Sequence, residues 1–286
     1  MQEISAGIFV EAGLRRVTVG AVLTDEGWVL IDTPPFPDDA HHWREQLMRT
    51  RPSPILFVIN TDHHRDRILG NCWFKATVVA HQFTSDAMRS FPSAYLDNAV
   101  DSLTTSDDER RSFTGLKLVP PGISFTDRLY LKRGGRTVTL LSMPGPTPGS
   151  AWVHFPEERI VFCGDSVVLD THPSLAHANT KAWLDSLTAL RRARFPADIV
   201  VPGRGPVTTK EATGPVSEYV RVARRRVYSL FRAGRPRADT SALVPEFMAM
   251  FPITEPYEET QRRIKSGLDH IYEEYKATES AQAQPR

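Results

Sequence analysis

Apolar and polar positions alternate between two periodicities along the chain, which predicts a mixed α/β fold. Two strands at 16–23 and 28–31 are separated by a turn signal, and the run Ile55–Ile59 is continuously apolar, as in a strand covered on both faces. A helix is predicted over residues 38–50, with Asp38 as its N-cap. Further strands are predicted at 77–80, 136–141, 151–155, 159–163 and 198–201.

Helical periodicity dominates the last third of the chain. Asn179 is predicted to cap a helix whose apolar face consists of Trp183, Leu184, Leu187 and Leu190. From Val216 onward apolar stripes recur at helical spacing, and Pro256 suits a helix start. We therefore expect one domain over residues 1–210 and a helical extension over 211–286 packed on it, with a tail that frays from about residue 278.

Composition narrows the class of protein. The chain has 286 residues, with 35 Lys and Arg against 34 Asp and Glu, so its net charge of +1 argues against a nucleic-acid partner. Two cysteines, Cys72 and Cys163, form neither a disulfide framework nor a four-cysteine zinc site. The N-terminus lacks a signal-peptide pattern, and no apolar run is long enough to span a membrane. These features favour a soluble cytoplasmic protein with no membrane partner.

Ionisable side chains are concentrated just after the strand at 55–59. The segment Asp62-His63-His64-Arg65-Asp66-Arg67 brings two imidazoles and two carboxylates together. Such groups hold a metal ion or form an acid–base pair. Asp32 and Asp165 also follow predicted strands, and the strand ends of α/β sheets are where sites form. We therefore expect these aspartates to face one cleft.

The same segment resembles the signature of the metallo-β-lactamase superfamily, T-H-x-H-x-D-H followed by x-x-G-[GN]. Four further stretches resemble motifs of that family in the same order, namely Ile31-Asp32-Thr33, Pro144-Gly145-Pro146-Thr147-Pro148-Gly149-Ser150, Phe162-Cys163-Gly164-Asp165 and Val201-Pro202-Gly203-Arg204-Gly205-Pro206. The resemblance runs from about Gly13 to Pro206. It implies an αββα sandwich with a site at the strand ends between its halves, followed here by the helical extension.

The resembling family places seven side chains around two metal ions, usually zinc. His64, Asp66 and Asp165 keep the family residue, whereas the family's four remaining positions, all histidines, carry Asp62, Arg67, Pro146 and Arg204 here. A guanidinium has no acceptor and stays positively charged, so it cannot bind a cation. We expect Arg67 and Arg204 to pair with Asp66 and Asp165 instead. The leading prediction is an ion-paired cleft without a metal or another cofactor.

A rebuilt site for zinc or another divalent metal is the alternative. Its ligands would be Asp62, His64, Asp66 and Asp165, with His63 or His172 assisting. The candidate catalytic residues are His64, Asp66 and His63. The candidate substrate-binding residues are Arg67, Arg204 and His172. His177 lies in the same loop as His172 and is interpreted as a surface residue.

Three functions stay open, and the sequence does not decide whether the protein is an enzyme. The first is a hydrolase-like protein of this fold whose metal site is largely lost, with a small-molecule ligand or substrate and a ligand-binding or altered catalytic role. The second is an active mononuclear metallo-hydrolase of esters, thioesters or lactams. The third is a non-catalytic interaction protein that binds its partner through its C-terminal helices; the partner could be a second copy of the chain, which would give a homodimer.

Overall fold

A computed structural model describes residues 1–283. Its strands are β1 (Gln2–Ser5), β2 (Ile8–Leu14), β3 (Val17–Leu23), β4 (Trp28–Ile31), β5 (Ile55–Ile59), β6 (Thr77–His81), β7 (Ile123–Phe125), β8 (Arg128–Arg133), β9 (Arg136–Ser142), β10 (Ala151–Phe155), β11 (Ile160–Phe162) and β12 (Ile199–Val201). Its α-helices are α1 (Pro37–Thr50), α2 (Arg65–Ile68), α3 (Gln82–Arg89), α4 (Tyr95–Leu103), α5 (Asp107–Ser112), α6 (Thr180–Arg191), α7 (Thr213–Arg232), α8 (Val244–Met248) and α9 (Tyr257–Ala283).

Two sheets form the centre of the fold. The first contains seven strands in the order β1 to β7, and the second contains five in the order β12-β11-β10-β9-β8. Strands β4 to β7 run parallel, as do β11 and β12. The sheets pack face to face, so that Ile8 and Val10 of the first share an apolar cluster with Leu140 and Phe162 of the second. At Gly20 the sheets approach so closely that a Cβ would collide with the Phe162 ring.

Helices cover the outer face of each sheet. On the first sheet, Trp43 of α1 packs with Trp28 of β4. On the second, Trp183 of α6 and Leu268 of α9 belong to the same cluster as Trp152 of β10. The layers therefore follow the order αββα, which confirms the predicted fold, and the C-terminal helices thicken the outer layer on the second sheet.

Periodicity located most of the elements correctly. Ile55–Ile59 and Ala151–Phe155 are strands with the predicted bounds. Asn179 caps α6 as predicted, because its side-chain oxygen accepts a hydrogen bond from the main-chain nitrogen of Ala182 at 3.1 Å.

One local prediction is wrong, and two regions differ from or add to the sequence-based expectation. Helix α1 begins at Pro37, and Asp38 lies in its first turn, where its charge favours the positive end of the helix. Helix α9 continues to Ala283, beyond residue 278, and residues 284–286 lie outside the described residues, so the predicted fraying of the tail stays a prediction. Residues 1–14, for which no element is predicted, form β1 and β2, and Gly7 lies in a left-handed turn between them.

The C-terminal helices α7, α8 and α9 share one apolar cluster with α6, which covers the outer face of the second sheet. A domain boundary near residue 210 and a homodimer formed by these helices stay predictions. Within residues 1–283, no helix is both long and apolar enough to cross a membrane.

Candidate active site

Four loops meet where β4, β5, β11 and β12 end. Asp32 follows β4, Asp62 lies in the loop after β5, Asp165 follows β11, and Arg204 follows β12. Both strand pairs are parallel, so their carboxyl ends open at the same edge of the two sheets. Asp32 and Asp165 both contact the guanidinium of Arg67, as expected for two aspartates at one cleft.

Buried hydrogen bonds hold the loop after β5. The carboxylate of Asp32 accepts hydrogen bonds from the main-chain nitrogen of Thr61 at 2.8 Å and from its hydroxyl at 2.7 Å. The side chain of Asn60 donates to the carbonyl oxygen of Arg67 at 2.9 Å and accepts from Asn71 at 2.8 Å. Burial raises the pKa of Asp32 to about 7, although Arg67 and Thr61 oppose that rise. These contacts fix the ionisable segment against the sheet.

Arg67 lies fully buried beneath the site. Its Nη2 donates to Asp165 Oδ1 and, at 2.8 Å, to the carbonyl oxygen of Gly203, while its Nη1 lies 3.7 Å from Asp32 Oδ2. Burial opposes the charge of Arg67, but the Asp165 and Asp32 carboxylates outweigh that effect and raise its pKa. Gly203 makes room for this pair, because a Cβ at that position would overlap both Arg67 and Asp165.

Arg204 makes a second pairing at the floor of the site. Its Nη2 donates to Asp66 Oδ2 at 2.6 Å, and its Nε lies 3.5 Å from Asp165 Oδ1. Burial would raise the pKa of Asp66, but Arg204, assisted by other arginines, holds that pKa below its usual range. The predicted pairing of the two arginines with the two aspartates is confirmed.

Two carboxylates from the C-terminal part of the chain, neither of them predicted from the sequence, join this network. Glu255, just before α9, accepts a hydrogen bond from Arg204 Nη1 at 3.0 Å. Glu259, in α9, accepts hydrogen bonds from Arg16 at 3.2 Å and from Arg65 at 3.0 Å. No local motif marks either glutamate, since these partners are distant in sequence.

Asp62 orients the imidazole of His64. The main-chain nitrogen of His64 donates to Asp62 Oδ1 at 2.8 Å, and its ring Nδ1 lies 3.1 Å from Oδ2. Burial alone would lower the pKa of His64, but the Asp62 carboxylate, with Asp165 and Asp66, raises it above its ordinary value. The other ring nitrogen, Nε2, is buried without a hydrogen-bond partner in the described part of the chain. An imidazole held at one nitrogen by a carboxylate, with the other free, is arranged as a general acid or base.

Two further imidazoles lie beside His64. The ring centroids of His63 and His177 are 5.8 Å and 6.2 Å from that of His64, and 5.8 Å from each other. Burial, together with the neighbouring His64, lowers the pKa of His63 to about 4 and also lowers the pKa of His177. The His63 ring is therefore neutral at pH 7, where one of its nitrogens donates and the other accepts a hydrogen bond. His177 is exposed, as predicted, and its ring lies at the mouth of the cleft beside His64.

These imidazoles line a cavity of about 1160 Å³. Among the predicted site residues, those that line it are His63, His64, Asp66, Asp165 and Arg204. Its walls come from the 87–105 region, the 174–177 loop and the start of α9. A concave site of this size with a few convergent polar groups is typical of small-molecule binding.

The sequence matches a family model over residues 12–204, and that model describes the metallo-β-lactamase superfamily. The chain belongs to the metallo-β-lactamase superfamily. This match covers strands β3 to β12 and ends at Arg204, so that Glu255 and Glu259 lie outside it.

Solved structures of this superfamily share the fold. A metallo-β-lactamase family protein from Thermus thermophilus is 18% identical, with 98% of this chain and 96% of that chain covered and a TM-score of 0.69. A metallo-β-lactamase from Pontibacter korlensis is 19% identical, with 77% and 97% covered and a TM-score of 0.60. A stereoselective inverting sec-alkylsulfatase from a Pseudomonas species is 14% identical, with 99% and 52% covered and a TM-score of 0.64. The chain thus has the metallo-β-lactamase fold of a hydrolase-like superfamily.

Three side chains could together offer ligands to a cation. Asp62, His64 and Asp165 each present one donor atom, and these atoms lie within 4.8 Å of one another. Asp66, the fourth ligand predicted from the sequence, is not in this group, and its Oδ2 accepts the hydrogen bond from Arg204.

Two of the predicted substrate-binding residues do not reach the cavity. His172 is buried, and its Nε2 lies 3.1 Å from the carbonyl oxygen of Phe247, under the C-terminal helices. Arg67 lies below the floor, enclosed by Asp165 and Gly203. These positions contradict direct substrate contact by His172 or Arg67. Arg204 lines the cavity, and its predicted role stays a prediction.

Proposed function

We propose that this protein is a hydrolase-like member of its superfamily whose cleft works without the two-metal centre. The observation that carries the proposal is the pairing of Arg67 with Asp165 and of Arg204 with Asp66. By resemblance, both arginines stand at positions of metal-binding histidines, and Pro146, at a third such position, has no donor atom. Each guanidinium supplies positive charge to a carboxylate but no ligand to a cation, so the two-metal centre does not fit these side chains.

His64 is the proposed acid–base group of the metal-free cleft. Its Nδ1 is held by Asp62, and its ring lines the cavity beside His63. A water molecule would lose a proton to Nε2 of His64 as its oxygen attacks the carbonyl carbon of a bound ester or thioester. The bond to the leaving oxygen or sulfur then breaks, and the proton passes from Nε2 to that atom. Arg204 lines the same cavity, and its charge favours the negative carbonyl oxygen of the intermediate.

A mononuclear metallo-hydrolase is the second candidate, because one group of donor atoms favours it. A single divalent ion would be held by Asp62, His64 and Asp165. Such an ion supplies a Lewis acid that lowers the pKa of bound water. Against this candidate, Arg67 donates to Asp165, and both oxygens of Asp62 face His64.

Metal content separates the two candidates. Protein purified without chelator or metal-affinity resin is expected to contain far less than one zinc, iron or manganese ion per chain by elemental analysis. Excess chelator is then expected to leave the melting temperature unchanged, because only a ligand bound to the native state adds stability. One metal ion per chain, together with a melting temperature that falls in chelator, would support the mononuclear enzyme and contradict our proposal.

Restoring the family histidines is expected to create a zinc site. The triple variant Arg67→His, Pro146→His and Arg204→His removes both competing guanidiniums and adds three imidazoles. With zinc at about 100 times its Kd, we expect a gain of about 2.7 kcal/mol in the free energy of unfolding. Calorimetric titration with zinc and thermal unfolding measure the two effects.

The variant Pro146→His alone is the matched control, because it keeps both arginines. It is expected to bind no zinc. Equal zinc binding by the wild type and the triple variant would show that the arginines do not determine the metal content of this cleft.

A further inference from the structure

One wall of the cavity is an apolar strip that leads away from the imidazoles. Four side chains line the cavity at intervals of four residues, and we refer to them as the apolar strip: Phe91, Tyr95, Ala99 and Leu103. Three of them belong to α4, where this spacing places side chains on one face.

The strip has a firm backing. Ala99 and Leu103 are buried and share an apolar cluster with Phe36, Leu69 and Phe113. Because tightly packed interiors yield little, this wall keeps its shape when a ligand lies against it. A preformed apolar wall adds affinity for apolar groups without a large ordering cost.

The strip begins at His63, whose ring lies beside that of the proposed acid–base group His64. The ring of Phe91 meets the imidazole of His63 edge to face, with centroids 6.2 Å apart, and stacks on Tyr95 at 3.9 Å with an angle of 8° between the planes. From Tyr95 to Leu103 the helix rises about 12 Å, at 1.5 Å per residue. A ligand whose polar group lies at the imidazoles can therefore extend an unbranched chain along α4.

Most of the charged side chains that line the cavity form ion pairs with other charged side chains. Arg16 and Arg65 pair with Glu259, and Asp101 pairs with Arg110. Because these charges are paired, the cavity does not require a charged group in the part of the ligand that lies far from the imidazoles. The apolar contact is then the main determinant of which distal groups bind, and each buried methylene contributes roughly a fourfold gain in affinity.

We propose that the apolar strip is an acyl-chain subsite. The substrates of the cleft are then esters or thioesters of medium-length straight-chain acids, with the carbonyl group at His64 and the alkyl chain along α4. This inference rests on the proposed function for the identity of the reacting bond, but the subsite itself can be tested by binding alone.

Binding of carboxylates, which are products of the proposed reaction, tests the subsite directly. The full chain is titrated calorimetrically with octanoate and with acetate, both below the concentration at which octanoate forms micelles. We expect octanoate to bind at least about 100-fold more tightly, since six methylene groups are added and each contributes several-fold. The variant Phe91→Gln is expected to lose most of this difference, because it places an amide at the start of the strip.

A matched control uses another phenylalanine of the same region. Phe83, in α3, is 58% exposed and does not line the cavity, so Phe83→Gln is expected to bind octanoate like the wild type. The melting temperature of each variant shows that it is folded. If Phe91→Gln proves unstable, Tyr95→Gln replaces it, since Tyr95 is also only partly buried.

The outcomes distinguish the subsite from the reaction. Equal affinity for octanoate and acetate overturns the subsite, and so does octanoate binding that is unchanged in Phe91→Gln and Tyr95→Gln. Binding that depends on the strip, in a protein that hydrolyses no acyl ester, supports the subsite and contradicts the proposed reaction. Hydrolysis at the same rate for acetyl and octanoyl p-nitrophenyl esters supports the reaction and overturns the subsite.

Discussion

Replacing Arg67 with methionine is expected to lower the free energy of unfolding by about 3–5 kcal/mol, the usual loss when one partner of a buried ion pair is removed. Arg67 is fully buried, and its guanidinium contacts Asp165 and Asp32, which are also buried. Methionine keeps much of the volume but removes the counter-charge of Asp32 and the nearer of the two guanidiniums at Asp165. It also removes the hydrogen bond to the carbonyl oxygen of Gly203. Urea denaturation at pH 7 measures the loss.

An exposed pair provides the control. Arg159 makes two hydrogen bonds to Asp198, but the two side chains are 49% and 65% exposed. Solvent screens such pairs, so Arg159→Met is expected to lower the free energy of unfolding far less than Arg67→Met does. Adding Asp165→Asn to Arg67→Met is expected to recover part of the loss, because one buried charge disappears with its partner. A loss for Arg67→Met no larger than that for Arg159→Met would contradict the role of Arg67 as counter-charge.

Strands buried on both faces were the most predictable elements of the fold. Ile55–Ile59 could be located because a strand between two layers needs apolar residues at every position. The strand Gln2–Ser5 was missed, since it lies at the edge of the first sheet and its side chains are exposed or half-buried. An edge strand of this kind carries little periodicity. Its existence depends on pairing with Ile8–Leu14, which follows a turn at Gly7.

The centre of the site was predictable because its residues are contiguous or follow strands. Asp66 and Arg67 lie in one short segment, and the strand order brings Asp165 and Arg204 to the same edge. Opposite charges at those positions were sufficient to predict ion pairs. The participation of Glu255 was not predictable, because its contact with Arg204 depends on how the C-terminal helices pack.

The two histidines of the loop before α6 show the same limit. His172 and His177 are five residues apart, and nothing in the local sequence shows which of them faces the cleft. Tertiary packing determines the direction of each side chain. His172 lies against Phe247 of α8, and His177 lies beside His64. Side-chain direction within an irregular loop is set by tertiary contacts, whereas in strands and helices it follows the period of the element.

His64→Gln is expected to hydrolyse p-nitrophenyl octanoate about 10²–10⁴-fold more slowly than the wild type, the range attributed to one general acid–base group. In the wild type, Asp62 accepts hydrogen bonds from the main chain and the ring of His64. Glutamine has a polar side chain of similar length that can still donate a hydrogen bond to Asp62. It cannot take up the proton that the attacking water must lose. Release of nitrophenolate in the presence of chelator measures kcat/KM for this reaction without metal.

A second buried histidine distinguishes loss of catalysis from loss of structure. His154 in β10 is 6% exposed, and its Nε2 lies 2.8 Å from the carbonyl oxygen of Pro196, away from the cavity. His154→Gln therefore disturbs the core to a comparable degree but leaves the imidazoles of the cleft in place, and its kcat/KM is expected to match that of the wild type. Wild-type protein with no activity above the buffer rate, or His64→Gln with the wild-type rate, would contradict acid–base catalysis by His64. Activity that chelator abolishes and added zinc restores would instead assign the reaction to a metal ion, and the pairing of Arg67 with Asp165 would then have to open when that ion binds.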